Sequence, residues 1–113
     1  MTTTLRIRRN RRIEDLPPGL PGAELVGHGI AALERGERTI EALLVSLAAP
    51  RLRDIGLDVP RAADHIAEPN LALYAAVRHS GGDHFDYNAL LGRLSSFADA
   101  AEWMLGRPAG KTA

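Results

Sequence analysis

Residues 83–106 decide the fold, and they read DHFDYNALLGRLSSFADAAEWMLG. Asp83 can accept hydrogen bonds from the free N–H groups of a first helical turn, and Gly106 favours a helix end. Between them, large apolar side chains and an alanine recur every three or four residues, so they share one face over about five helical turns. They are Tyr87, Leu90, Leu91, Leu94, Phe97, Ala101 and Met104. The spacing predicts a long amphipathic helix that buries this face.

Residues 23–35 predict an earlier helix. Its apolar residues at helical spacing are Val26, Ile30 and Leu33. Gly27 and Gly29 lie inside it, and each glycine costs a helix about 1 kcal/mol relative to alanine. We therefore expect these glycines either to weaken the helix or to mark a place where a second helix crosses closely.

Residues 40–49 predict the next helix, which Thr39 can cap. Its expected buried residues are Ile40, Leu43, Leu44 and Leu47. Pro50 is expected to end this helix, because proline disfavours the helical conformation of the residue before it. A short helical turn over 51–55, closed by Gly56, is then expected to follow.

Two prolines predict the start of two further helices, since proline is favoured in a first helical turn. Pro60 begins a predicted helix over 60–67 and Pro69 one over 69–79. The second is expected to bury Leu71, Tyr74 and Val77. No pair of strands is predicted after residue 22, so the sequence indicates an all-α fold of five or six short helices.

The composition excludes several classes of protein. At 113 residues, with 45% apolar and 25% charged residues, the chain is typical of one folded domain. It contains no cysteine, which excludes disulfides, thiolate metal sites and cysteine nucleophiles and fits a reducing compartment. No apolar run approaches the roughly 20 residues of a membrane helix, and no secretory signal is recognisable. We expect a cytoplasmic protein, and 13 arginines against one lysine are typical of a GC-rich bacterial genome.

Positive charge is concentrated at the beginning of the chain. Residues 1–12 contain no acidic residue and five basic ones, namely Arg6, Arg8, Arg9, Arg11 and Arg12. The rest contains nine basic residues against 14 acidic ones, so a cationic arm precedes an acidic body. Residues 16–22 hold three prolines and two glycines, which predicts a stiff connector. The predicted organisation is an extended arm and connector over 1–22, a helical domain over 23–106 and a frayed tail over 107–113.

A block of like charges usually serves to meet a partner, and the arm allows three interpretations. It can bind an acidic protein surface, either on a copy of this chain or on a different protein. It can bind the backbone of a nucleic acid, although it has no aromatic residue on which bases could stack. It can also fold against the acidic body of its own chain. The acidic body weighs against nucleic acid, because nucleic-acid-binding proteins usually carry basic surface on the fold itself.

Residues 78–86, Arg-His-Ser-Gly-Gly-Asp-His-Phe-Asp, combine two histidines with two carboxylates. Such groups are metal ligands, but their spacing matches no zinc pattern. Helix ends explain the same residues: Gly81 ends one helix, Asp83 caps the next, and Asp86 and His79 each suit the dipole end on which they lie. We therefore predict no metal site and no cofactor.

Arg78 and His84, with five residues between them, are similar to the Arg-x(4–6)-His signature of HEPN-domain ribonucleases. These are small helical bundles in which the arginine and the histidine act in RNA cleavage across a dimer. The resemblance implies that the same two residues could cleave RNA here. It covers this motif and the all-α size class, and Gly81-Gly82 is expected to place the two residues on different helices, whereas the family has its motif near the start of one.

A helix-turn-helix over 40–55 would offer only Arg51 and Arg53 to DNA. The sequence disfavours it, because Pro50 replaces the usual glycine-containing turn and the second helix would be barely two turns long. Trp103 lies off the main buried face of the last helix, where a tryptophan is a common interface anchor but could equally pack under the proline connector. No motif gives positive support for catalysis. The sequence thus favours a non-enzymatic helical protein-interaction module, such as an accessory or antitoxin-like subunit, that docks through its arm and Trp103 and forms a homo-oligomer. The alternatives are a nucleic-acid-binding regulator that uses the arm and a HEPN-like ribonuclease.

Overall fold

A computed structural model describes residues 12–104, which are mostly helical and contain no strand. Within this range there are four α-helices, which we name α1 (Ala23–Glu34), α2 (Ile40–Ile55), α3 (Pro69–His79) and α4 (His84–Met104). Two 3-10 turns accompany them, Ile13–Asp15 before α1 and Arg61–His65 between α2 and α3. The prediction of an all-α fold is confirmed for these residues. None of their helices is both long enough and apolar enough to cross a bilayer.

Helix α2 lies at the centre of the fold and contacts each of the other three helices. Thr39 caps it as predicted, because its side-chain oxygen accepts a hydrogen bond of 3.0 Å from the backbone N–H of Ala42. Seven of its residues are buried: Ala42, Leu43, Leu44, Val45, Ser46, Ala49 and Leu52. Ser46 is polar, and its hydroxyl donates a hydrogen bond of 2.6 Å to the carbonyl oxygen of Ala63. This bond ties the second 3-10 turn to the central helix.

The prediction that Pro50 ends a helix is wrong, because α2 continues through it to Ile55. The proline removes one backbone donor, but its own side chain is exposed while its neighbours Ala49 and Leu52 are almost wholly buried. The burial of these residues outweighs the local preference of proline. The helix ends instead at Gly56, which adopts a left-handed conformation with φ of 109°. The expected helices over 40–49 and 51–55 are therefore one element.

The predicted number of five or six helices is likewise not confirmed. Besides the fusion at Pro50, the helix expected over 60–67 is the five-residue 3-10 turn Arg61–His65. Ala63 and Ile66 are buried there, so the segment contributes to the core without a longer helix. In α3 the buried residues are Leu73 and Val77, whereas Leu71, which was expected to be buried, is 62% exposed.

Helices α1 and α2 cross closely at Gly29, as one of the two interpretations of that glycine predicted. A Cβ atom at Gly29 would collide with the carbonyl oxygen of Glu41 and with the side chain of Val45. Gly27 has no such constraint, since the nearest atoms to a Cβ there belong to Ile13 and lie 3.9 Å away. The two glycines therefore differ in role, although they are two residues apart.

The connector packs on the helical body. Leu16 and Leu20 are buried in the core cluster. Gly22 adopts a left-handed conformation with φ of 77°, and a Cβ on it would lie 2.9 Å from the carbonyl oxygen of Arg93 on α4. These contacts fix the path by which the chain enters α1.

Candidate functional site

The structure describes two of the six residues predicted to bind a partner. Arg6, Arg8, Arg9 and Arg11 lie outside the described residues. Arg12 and Trp103 lie within them, and both are exposed. The candidate site that the structure describes therefore consists of Arg12, the charged residues of the body and the outward face of α4.

Arg12 lies against the acidic end of α1. Its guanidinium is 3.4 Å from the carboxylate of Glu14 and 3.9 Å from that of Glu34, and its backbone N–H donates to Asp15. The side chains of Arg12, Glu14 and Glu34 are each roughly half-exposed. Each ion pair therefore contributes at most about 1 kcal/mol to the stability of the fold. A cation here also lies near the C-terminal end of α1, where the helix dipole favours positive charge. The last arginine of the arm therefore contacts the acidic body of its own chain.

Most arginines of the helical body are paired with carboxylates. On α2, Arg51 contacts Asp99 at 2.6 Å and Glu102 at 3.3 Å, both on α4. The hydrogen bond to Asp99 is the main cause of a raised pKa of Arg51. These contacts hold the second half of α4 against α2.

Arg53 likewise forms hydrogen bonds with residues in and just before the second 3-10 turn. It donates to the carboxylate of Asp64 at 2.7 Å and to the backbone carbonyl of Val59 at 3.0 Å. The hydrogen bond from Arg53 is the main cause of a lowered pKa of Asp64. Because Arg51 and Arg53 are paired within the chain, and α2 has no turn at Pro50, the helix-turn-helix hypothesis is wrong.

The outward face of α4 exposes two aromatic residues. Phe85 and Trp103 are each 78% exposed, near the two ends of the helix. Gly92 lies between them, and a Cβ at this position would meet nothing within 4 Å apart from its own helix. Met104 was expected on the buried face but is 52% exposed, because the helix extends beyond the core at Ala101. Trp103 therefore stands off the core, and of its two open interpretations the one in which it packs under the connector is wrong.

The turn between α3 and α4 is built as helix ends. The carboxylate of Asp83 accepts from the backbone N–H groups of Phe85 at 3.0 Å and Asp86 at 3.1 Å, and the Asp86 carboxylate accepts from the Asp83 N–H at 2.9 Å. The N–H of Asp86 is the main cause of a lowered pKa of Asp83. Gly81, with φ of 97°, follows the end of α3. The interpretation of these residues as helix caps is confirmed.

Arg78 and His84, the pair similar to the ribonuclease motif, lie on different helices. Arg78 is in the last turn of α3 and His84 begins α4, and both are exposed. The ring nitrogen Nε2 of His84 is 3.1 Å from the side-chain nitrogen of Asn88, with which it can share a hydrogen bond. No group of three or more potential metal ligands is found among residues 12–104.

A cleft of about 490 Å³ lies beside this turn. Ile40, Val77 and Leu90 supply its apolar wall, and Asp86 and Arg93 its charged groups. Both charged groups have intramolecular partners, because Asp86 caps α4 and Arg93 pairs with Glu24 on α1. The cleft therefore offers little unsatisfied polarity to a ligand.

Sequence reasoning missed Phe85 as a candidate contact residue. The spacing gave a signal, because Phe85 and Trp103 are 18 residues apart, which is five helical turns, so they point the same way from an α-helix.

No protein-family model, no curated protein and no solved structure matches the chain.

Proposed function

We propose that this protein is a non-enzymatic helical interaction module that binds an acidic surface of a partner protein through its arginine-rich arm. The division of charge is the observation that carries the proposal. All 14 acidic residues of the chain lie within residues 12–104, together with eight arginines. Six basic residues lie outside that range, four of them in the arm.

The ion pairs of the body support a protein partner over a nucleic acid. Arg12, Arg35, Arg51, Arg53 and Arg93 each contact a carboxylate of their own chain. A nucleic acid that bound the arm would therefore come close to the body. The body would repel it, because acidic groups outnumber basic groups there. An acidic patch on a folded protein is smaller, and the arm can reach it while the body stays clear.

The position of Arg12 supports the expectation that the arm prefers carboxylates. This arginine lies against Glu14 and Glu34 of its own chain. Guanidinium groups form bidentate hydrogen bonds with carboxylates, which gives an arm of arginines more geometric selectivity than an arm of lysines. Trp103 is also exposed, and exposed tryptophans are frequent anchors of protein interfaces, so it offers an apolar contact surface separate from the arm.

The proposal can be tested with three forms of the full chain that carry the same C-terminal tag. One is unaltered, one has Arg6, Arg8, Arg9 and Arg11 replaced by glutamine, and one has them replaced by lysine. Each is purified from the cells that naturally produce the protein, with and without nuclease. We expect a defined partner protein with the unaltered chain after nuclease treatment, less with the lysine variant and none with the glutamine variant. A partner that is retained by the glutamine variant, or lost on nuclease treatment, would overturn the proposal.

A ribonuclease test separates the enzymatic alternative. The purified chain and its His84→Ala variant are incubated with single-stranded RNA, and the products are followed on a gel. We expect no cleavage by either. Cleavage by the unaltered chain that is lost in the variant, with helicity retained, would instead favour the HEPN-like interpretation.

A further inference from the structure

The outward face of α4 has the spacing of a coiled-coil contact face. Six exposed residues alternate at spacings of four and three along the helix. We name them the α4 seam: Phe85, Ala89, Gly92, Ser96, Asp99 and Trp103. They point away from the buried residues of the same helix, which are Leu94, Phe97, Ala98 and Ala101. A helix face of this kind, with small residues between two exposed aromatics, leaves a shallow gap that a second helix can fill.

We propose that the α4 seam is the interface of a homodimer, in which two copies of α4 pack antiparallel about a two-fold axis near residue 94. The proposal deepens the proposed function, because it names a second copy of the chain as one partner of the module. Positions 85 and 103 are equally far from 94, and so are positions 92 and 96. Phe85 of each copy therefore contacts the partner's Trp103, and Gly92 lies opposite the partner's Ser96.

The seam is self-complementary in shape. Gly92 has no side chain and no neighbouring atom within 4 Å of a Cβ built there, so the two helices can approach closely at their centre. The aromatic residues, about 27 Å apart along the axis, then close both ends of the contact. An isologous interface requires this kind of pairing, in which residue i of one copy meets residue j of the other and j meets i.

Charge selects the antiparallel orientation. In a parallel pair, the two Asp99 carboxylates would lie opposite one another and repel. In the antiparallel pair, Asp99 lies opposite the small side chain of Ala89 and keeps its contact with Arg51 of its own chain.

The area available predicts a weak dimer. Phe85 and Trp103 are each 78% exposed, and aromatic side chains of this size bury roughly 150 Å² or more each. Four such side chains supply roughly 600 Å², and the small seam residues add to it, which approaches the roughly 1,000 Å² of a small specific interface. We therefore expect association in the micromolar range of concentration.

The decisive variants are at Gly92, because a change there leaves the monomer intact. Gly92→Gln adds a bulky side chain to the centre of the seam, and Gly92→Ala is its matched control with a small one. Both favour helix over the original glycine. By sedimentation velocity of the full chain at rising concentration, we expect the unaltered chain and Gly92→Ala to dimerise and Gly92→Gln to bind itself at least about tenfold more weakly. A chain that stays monomeric at several hundred micromolar, or a glutamine variant that dimerises as well as the original, would overturn the proposal.

Engineered cysteines test the orientation, since the chain has no cysteine of its own. A Phe85→Cys chain mixed with a Trp103→Cys chain should form a disulfide-linked pair, because the other end of that dimer keeps its native Phe85–Trp103 contact. Neither variant alone should be linked through a symmetric disulfide. Efficient linkage of Phe85→Cys to itself would contradict the antiparallel arrangement.

The dimer test is independent of the arm. The variant with four arm arginines replaced by glutamine should still dimerise through the α4 seam. If it becomes monomeric while Gly92→Gln stays dimeric, the seam is not the interface, and the arm is the element that associates. That result would refute this inference and leave the proposed function standing.

Discussion

Replacing Gly29 with alanine should destabilise the protein, whereas the same replacement at Gly27 should stabilise it. Both glycines lie within α1, so each alanine gains roughly 0.5–1 kcal/mol from helix propensity. At Gly29 the added methyl group collides with the backbone of Glu41 and the side chain of Val45. Overpacking typically costs about 1–3 kcal/mol, and a backbone obstacle places the cost at the upper end. We expect a net loss of about 2 kcal/mol for Gly29→Ala.

The Gly27 variant is the matched control. A Cβ there lies 3.9 Å from Ile13, which is ordinary van der Waals contact, so its helix-propensity gain should be retained. The free energies of unfolding are measured by urea titration, with the helical signal at 222 nm as the probe. The two variants should move the midpoint in opposite directions, with melting temperatures that change by roughly 4–8 °C per kcal/mol in a domain of this size. If both variants stabilise the protein by similar amounts, α1 and α2 do not cross at Gly29 as described.

Three further predictions concern single side chains. Ser46→Ala removes a buried hydrogen bond to the Ala63 carbonyl, so a loss of about 1–2 kcal/mol in urea unfolding is expected, and an unchanged midpoint would show that this bond does not stabilise the fold. Thr39→Ala removes the α2 cap and should cost about 1 kcal/mol, with Thr39→Ser as a control that retains most of the stability. Asp83 has a lowered pKa in the folded chain, so its stabilising effect is present above the usual pKa of an aspartate, near 3.8, and is lost as the pH falls through the lower folded value. As the pH is lowered through that acidic range, the melting temperature of Asp83→Asn should therefore fall less steeply than the melting temperature of the unaltered chain. If the two melting temperatures fall equally with pH, Asp83 does not cap α4.

The helix-forming features that act locally were predictable from the sequence. The caps at Thr39 and Asp83 require side-chain oxygens three residues or fewer from the N–H groups that they satisfy, so the short-range pattern contains the whole interaction. The close crossing at Gly29 was one of two open interpretations. Choosing between them requires the position of α2, which no local pattern supplies.

The errors arose where tertiary packing outweighs local preference. Pro50 disfavours helix by its own chemistry, but the burial of Ala49 and Leu52 keeps α2 continuous. Leu71 and Leu73 are two residues apart, about 200° around a helix, so only one of them can face the core. The connection before α3 turns Leu73 inward, and that connection includes Glu68 in a left-handed conformation that the sequence does not indicate.

The sequence predicts the positive charge of the arm, but it predicts only part of the arrangement of side chains at the candidate site. The cationic arm follows from composition, and helical periodicity places Trp103 off the main buried face, but whether Trp103 is exposed depends on the path of the connector. Phe85 was missed because its neighbours Asp83 and His84 suggested a cap or a metal ligand, and its relation to Trp103 appears only when two residues five turns apart are compared. That Arg51 and Arg53 are paired with carboxylates depends on long-range contacts, which the pattern around Pro50 does not reveal.

Photo-crosslinking from the arm shows which molecule the arm contacts in the cell. A photoreactive amino acid replaces Ile7, between Arg6 and Arg8, in the full chain, and cells that naturally produce the protein are irradiated. We expect a crosslink to a protein, mapped by mass spectrometry to a segment rich in aspartate and glutamate. This crosslink should survive nuclease and be lost when the four arm arginines are replaced by glutamine. A crosslink to RNA or DNA, or one to a protein segment without acidic residues, would contradict the proposed function.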